Sequence, residues 1–208
     1  MPRTRIKICG ITRESDLDFA LGAGVDAIGL VFYPPSPRAL SLKDAAKLAQ
    51  RVPPFVTRVG LFVNAEPADV RATLAAVPID LLQFHGEEDA GYCEQFGLPY
   101  LKAARVRPEL DLLEFARAYP TAQGLLLDAW VDAYGGVGQS FDWSLIPGDL
   151  PLPIVLSGGL HADNVADAVA KIHPWAVDVS SGVEAAKGIK DAAKIAAFVG
   201  AVRKSDAR

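Results

Sequence analysis

The residues best suited to chemistry stand where apolar runs end. Lys7-Ile8-Cys9-Gly10-Ile11-Thr12 closes one such run with a thiol. A cysteine there is either an inert small hydrophobe or a thiolate base. The second use needs a nearby positive charge, such as Lys7 or a helix N-terminus, because a free thiol ionises only near pH ~8.5. Leu125-Leu126-Leu127-Asp128-Ala129 ends another run with a carboxyl. That carboxyl either caps a turn or exchanges a proton with a bound molecule. A thiolate and a carboxylic acid on different sides of one pocket form an acid–base pair, provided the pocket keeps the first ionised and the second protonated.

Other residues suit anchoring. Ser157-Gly158-Gly159 and Ser180-Ser181-Gly182 follow the last two apolar runs. Glycine loops let backbone N–H groups point at an anion without side-chain obstruction, although two ordinary tight turns would look the same. Arg38 follows the stiff Tyr33-Pro34-Pro35-Ser36-Pro37 stretch. It reads either as a bidentate partner for a carboxylate or as a solvated surface arginine. In either case it is expected to matter little to the fold. His85 either touches substrate or satisfies a polar core position. Three histidines, none four residues apart with an acid between, give no zinc motif. Cys93 falls in a helical stretch and reads as structural.

The elements that must position these groups alternate along the whole chain. Apolar, β-branched runs cover Arg5–Gly10, Ala27–Phe32, Arg58–Val63, Leu81–Gly86, Tyr100–Val106, Gly124–Ala129, Ile154–Gly159 and Ala176–Ser181. Continuous apolar runs, rather than strict alternation, suit parallel strands covered by helices. Helical patterns cover Glu14–Gly22 with Thr12 as a candidate cap, Ser41–Arg51, Glu66–Ala76, Glu88–Phe96, Pro108–Ala118, Ala162–Ile172 and Asp191–Arg203. Between Trp130 and Leu152, Gly135, Gly136, Gly138, Pro147 and Gly148 predict a mobile loop and at most a short turn. Eight β–α units without a composition break predict one closed α/β barrel spanning 1–208; an open doubly wound sheet is the alternative. In such a barrel the strand C-terminal ends carry the active site, which is where Cys9, Arg38, Asn64, His85, Asp128, Ser157 and Ser180 fall.

Bulk composition narrows the function. Of 208 residues half are hydrophobic and 22% are charged, as in a folded globular chain. A net charge of −4 with no basic run argues against nucleic acid. No secretory leader or membrane-length apolar stretch is recognisable, so a cytoplasmic protein with two free thiols, Cys9 and Cys93, is expected.

Several motifs combine into a more specific pattern. Lys7-Ile8-Cys9-Gly10-Ile11-Thr12, Ser36-Pro37-Arg38, Leu61-Phe62-Val63-Asn64, Gln83-Phe84-His85-Gly86 and Asp128 occur in that order. Gly135-Gly136-Val137-Gly138-Gln139-Ser140-Phe141-Asp142-Trp143, Leu156-Ser157-Gly158-Gly159-Leu160 and Asp178-Val179-Ser180-Ser181-Gly182-Val183-Glu184 follow. In this collinear set the chain resembles the phosphoribosylanthranilate isomerases of tryptophan biosynthesis. Val137 departs from the smaller or more polar residue expected in its loop.

The resemblance implies a (β/α)8 (TIM) barrel of the ribulose-phosphate-binding type. It implies an aldose–ketose (Amadori) isomerisation by acid–base catalysis, with no cofactor or metal. The substrate would be a small phosphorylated molecule, and the protein a monomer or homodimer. By the same resemblance Cys9 is the general base and Asp128 the general acid. Arg38 holds the anthranilate carboxylate, and Gly158, Gly159, Ser180, Ser181 and Gly182 cradle phosphate. Asn64, His85, Asp178 and Glu184 join the site in roles left open. A sister isomerase of histidine biosynthesis would be expected to place an Asp, not a Cys, at the first strand end. A sugar-phosphate epimerase would need more histidine ligands, and a non-catalytic scaffold would lack Cys9 or Asp128.

Overall fold

The computed structural model describes residues 3–129 and 141–207. Eight strands hydrogen-bond in chain order and close into a ring, every neighbouring pair parallel. They are β1 Arg5–Cys9, β2 Ala27–Val31, β3 Thr57–Phe62, β4 Leu81–Phe84, β5 Tyr100–Val106, β6 Gly124–Ala129, β7 Ile154–Leu156 and β8 Ala176–Val179. The helices are α1 Glu14–Ala23, α2 Leu42–Gln50, α3 Pro67–Ala76, α4 Ala90–Glu94, α5 Leu112–Ala118, α6 Val165–Ile172 and α7 Ala192–Asp206. An open sheet is therefore excluded.

Alternation along each strand divides the core in two. Ile6, Ile8, Ile28, Leu30, Leu125, Leu127, Val177 and Val179 belong to the large core shared with the helices. Residues of opposite parity, Leu101, Ala103, Leu126, Val155 and Ala176 with Leu81, form a small core inside the ring. Further along the same inner faces stand polar groups: Lys7, Gln83 and Asp178, all buried. The barrel interior thus passes from apolar to polar toward the strand C-terminal ends.

Several expected boundaries shift for local reasons. The strands expected to reach Gly159 and Gly10 stop earlier, because Gly158, Gly159 and Gly10 all have positive φ. α5 starts at Leu112, not Pro108, because the Asp111 carboxylate accepts the Leu113 and Glu114 N–H groups. Thr12 does not cap α1; its hydroxyl donates to the Gly188 carbonyl instead, and Arg13 stands at the N-cap without a side-chain bond. Of the expected irregular stretch, residues 130–140 lie outside the described residues. From Phe141 to Leu152 the described residues form one short 3-10 helix, Trp143–Leu145, and no α-helix.

One element was not foreseen. After β8 a 3-10 turn, Ser181–Val183, leads into an antiparallel hairpin of β9 (Glu184–Ala186) and β10 (Ile189–Lys190) before α7. No helix among the described residues is long and apolar enough to cross a membrane.

Candidate active site

Cys9 ends β1, and Lys7 shares its face of the strand because strand side chains repeat every two residues. Lys7 donates to Asp178 Oδ1 at 2.9 Å, and the two residues pair in register between β1 and β8. Both side chains are buried, so the pair is costly unless each charge is compensated. Burial opposes the Lys7 charge, but Asp178 and Cys9 hold its ammonium above the ordinary value.

The Cys9 thiol is 6% exposed, and burial pushes it up. Lys7 pulls it down, Asp178 pushes it back, and Lys190 pulls it down more weakly. Burial prevails, so the thiol lies above its ordinary value and not below it, as the sequence had led one to expect. Lys7 was anticipated as such a cation and Lys190 was not, but a thiolate without hydration loses more than the two return.

Arg38 is not a solvated arginine. It is 7% exposed, and its Nε and Nη2 donate to Glu184 Oε1 and Oε2 at 2.7 and 2.8 Å. The fork meets a carboxylate of the protein itself. Lys190 Nζ also donates to Glu184 Oε1 at 2.9 Å, and to the Ser180 carbonyl and Oγ at 3.1 and 3.2 Å. Burial works against the Glu184 carboxylate, but Arg38 and Lys190 hold it below its usual range. A Cβ on Gly10 would run into the Arg38 stem, so glycine after Cys9 is what lets that stem cross the end of β1. The expectation that Arg38 matters little to the fold fails, because its burial and pairing were invisible before the β9–β10 hairpin brought Glu184 and Lys190 to it.

Asp128 lies one residue before the end of β6. Its Oδ1 accepts the Ala129 N–H at 2.9 Å, and its Oδ2 lies 3.1 Å from His85 Nε2. His85 Nδ1 lies 3.0 Å from Gln83 Nε2. Gln83 is wholly buried, and its Oε1 has no partner among the described residues. Asn64 lies apart from this chain of bonds. It adopts φ +48°, is exposed, and its Oδ1 accepts the Glu87 N–H at 2.7 Å. It ties the β3 and β4 loops together.

The two glycine loops lie side by side because β7 and β8 are neighbours. A Cβ on Gly182 would run into the Leu160 carbonyl, so the loops approach backbone to backbone. Asn164 Nδ2 donates to the Gly159 carbonyl at 3.0 Å and steadies the first loop. Among the described residues no group of three or more His, Cys, Asp and Glu side chains could hold a metal ion.

Comparison with known proteins agrees with this architecture. Residues 6–201 match the family model described as N-(5'phosphoribosyl)anthranilate (PRA) isomerase. The chain belongs to this family. It is 66% identical over 204 residues to N-(5'-phosphoribosyl)anthranilate isomerase of Dechloromonas aromatica, covering 98% of each chain. It is 63% identical over 206 residues to that of Leptothrix cholodnii, covering 99% of this chain and 94% of the relative. Among solved structures it superposes on the Thermotoga maritima phosphoribosyl anthranilate isomerase with a TM-score of 0.90 at 41% identity, covering 97% of this chain and 99% of that one. A phosphoribosyl anthranilate isomerase in complex with reduced 1-(o-carboxyphenylamino)-1-deoxyribulose 5-phosphate superposes with a TM-score of 0.86 at 40% identity, covering 97% and 99%.

Within this isomerase fold, Cys9, Asp178, Ser180 and Glu184 gather with Arg38 around β1 and β8, and His85 joins Asp128 across β5. Two members of the site were missed. Gln83 was readable from period two, which places it on the inner face with His85. Lys190 followed a turn signal, Lys187-Gly188, whose glycine has φ +77°. Its partner Glu184, however, is fixed only by the hairpin pairing.

Proposed function

We propose that Cys9 and Asp128 are the base and the acid with which this chain isomerises N-(5'-phosphoribosyl)anthranilate. The supporting observation is their placement. Cys9 ends β1 and Asp128 nearly ends β6, three strands apart around a closed ring of eight. They therefore approach a sugar in the barrel mouth from different sides.

The steps follow from the residue types. Asp128 gives its proton to the furanose ring oxygen; the bond from that oxygen to the anomeric carbon breaks, and the amine nitrogen's lone pair forms an iminium. Cys9, as thiolate, takes the proton from the neighbouring carbon. The freed electron pair forms a carbon–carbon double bond and the iminium electrons return to nitrogen. The resulting enolamine loses its enol proton and gains one at the anomeric carbon, giving the ketose. The backbone N–H groups of Gly158, Gly159 and Ser180 to Gly182 hold the phosphate, and Arg38 faces the aglycone carboxylate with the donors that Glu184 leaves over. Anchoring both ends of the substrate converts the proton transfers into intramolecular events. We further propose that the protein works in the cytoplasm, as a monomer or homodimer.

The test follows loss of the fluorescent anthranilate-linked substrate with purified protein. Cys9→Ala and Asp128→Ala should each lower turnover by about 10²–10⁴-fold, the usual contribution of a positioned proton-transfer group. Cys9→Ser should be nearly as damaging, since a hydroxyl does not ionise in this range. Wild-type turnover in Cys9→Ser would remove the base assignment.

A further inference from the structure

The Gln83–His85–Asp128 chain holds one more piece of information than the acid assignment uses. The Gln83 nitrogen facing the ring can only donate, so His85 Nδ1 accepts and the neutral ring carries its hydrogen on Nε2. That hydrogen points at Asp128 Oδ2, 3.1 Å away. This arrangement suits a carboxylate, which is the spent form of a general acid.

Adding one proton to the pair changes the ring's other side. If the proton sits on Asp128, its O–H donates to Nε2, and the ring hydrogen must be on Nδ1. If it sits on the ring, both nitrogens carry hydrogen. In either case an Nδ1–H now faces the Gln83 amino group, donor against donor. Rotating the amide by half a turn exchanges its nitrogen and oxygen, which are close in size, and presents Oε1 as the acceptor. The far end of the amide decides whether this is allowed. Oε1 is buried without a partner among the described residues, so none of them holds the oxygen in its present orientation.

We propose that Gln83 and His85 are positioning residues that load Asp128 with its proton, the Gln83 amide turning over as His85 changes tautomer. The inference rests on Asp128 being the acid. Other ionisable groups surround the pair. Arg105 is the register partner of Asp128 on β5, the Lys102–Glu88 ion pair joins β5 to the loop after β4, and Cys9 and Lys7 stand on β1. Gln83 differs from them in offering the ring a donor or an acceptor according to its rotation.

Two measurements test this. Nitrogen-15 NMR of the imidazoles, with His85→Ala identifying the His85 signals, should show the His85 hydrogen on Nε2 in the wild-type protein. Gln83→Glu, which as a carboxylate only accepts, should put a hydrogen on Nδ1. In the isomerase assay Gln83→Met should lower turnover about tenfold with little change in the Michaelis constant, yet have almost no effect in a His85→Ala background, because members of one chain are not additive. A His85 hydrogen that stays on Nε2 alone in Gln83→Glu, or a Gln83→Met loss carried in full into His85→Ala, would overturn the proposal. Asp128→Asn separates the two readings. If it keeps wild-type turnover, the acid assignment itself fails; if it is inactive while the Gln83 variants behave as merely structural changes, only the loading role fails.

Discussion

Cys9 shows how position and chemistry pull against each other at a single residue. A base that must ionise is buried, and burial pushes its thiol up despite Lys7 and Lys190. Its alkylation rate should therefore rise with pH through a midpoint above the ordinary thiol value of about 8.5. Lys7→Met should move the midpoint higher and slow turnover at neutral pH. Cys93 does not interfere, because burial pushes it up to about 12. A wild-type midpoint below the ordinary value would show that the two cations outweigh burial. Arg38 makes the complementary point. Arg38→Ala should cost about 2–4 kcal/mol of stability in urea titrations, since it strips a buried carboxylate of its fork, although Lys190 still holds Glu184. Arg38→Lys should not restore it, because one ammonium cannot reproduce two parallel bonds.

At the scale of elements, helix ends and loops separate stability from function. Asp111→Ala removes the side-chain cap of α5 and should cost about 1 kcal/mol with turnover unchanged. Gly182→Ala should behave differently. Its Cβ meets the Leu160 carbonyl, so the loops after β7 and β8 must part. The Michaelis constant should rise, and inorganic phosphate should inhibit less, with a smaller effect on turnover; unchanged phosphate inhibition would detach these loops from phosphate binding. The elements were legible where the signal was local: apolar runs for strands, the Ser41 start of α2, and glycines at the loop starts, whereas the Asp111 cap of α5 was missed. The β9–β10 hairpin was not legible. Its strands are three and two residues long, too short to show a period, and they form because the Lys187-Gly188 turn folds them together over the barrel mouth.

For the whole molecule, pH dependence should show a plateau with two edges. Cys93, Tyr92 and Tyr119 are all pushed up to about 12, burial being the main cause. The folded state keeps these protons after the unfolded chain has lost them, so stability should fall from about pH 9 upward. Asp26, Asp80 and Glu184 are held low by their cationic partners. The unfolded chain protonates first there, so stability should fall as pH drops through about 4. Urea midpoints across the range check both edges. The sequence by itself determined the eight-fold alternation and the strand ends from which Cys9, His85 and Asp128 project, and favoured a barrel over an open sheet. Each depends on periodicity and on residue type within a short span. Only the tertiary structure decided that Arg38 is buried against Glu184, that Asp178 serves Lys7, and that His85 reaches Asp128 across β5. Those pairings join residues up to 171 positions apart. Ring closure and strand register create them, and with them the charges that decide whether Cys9 ionises.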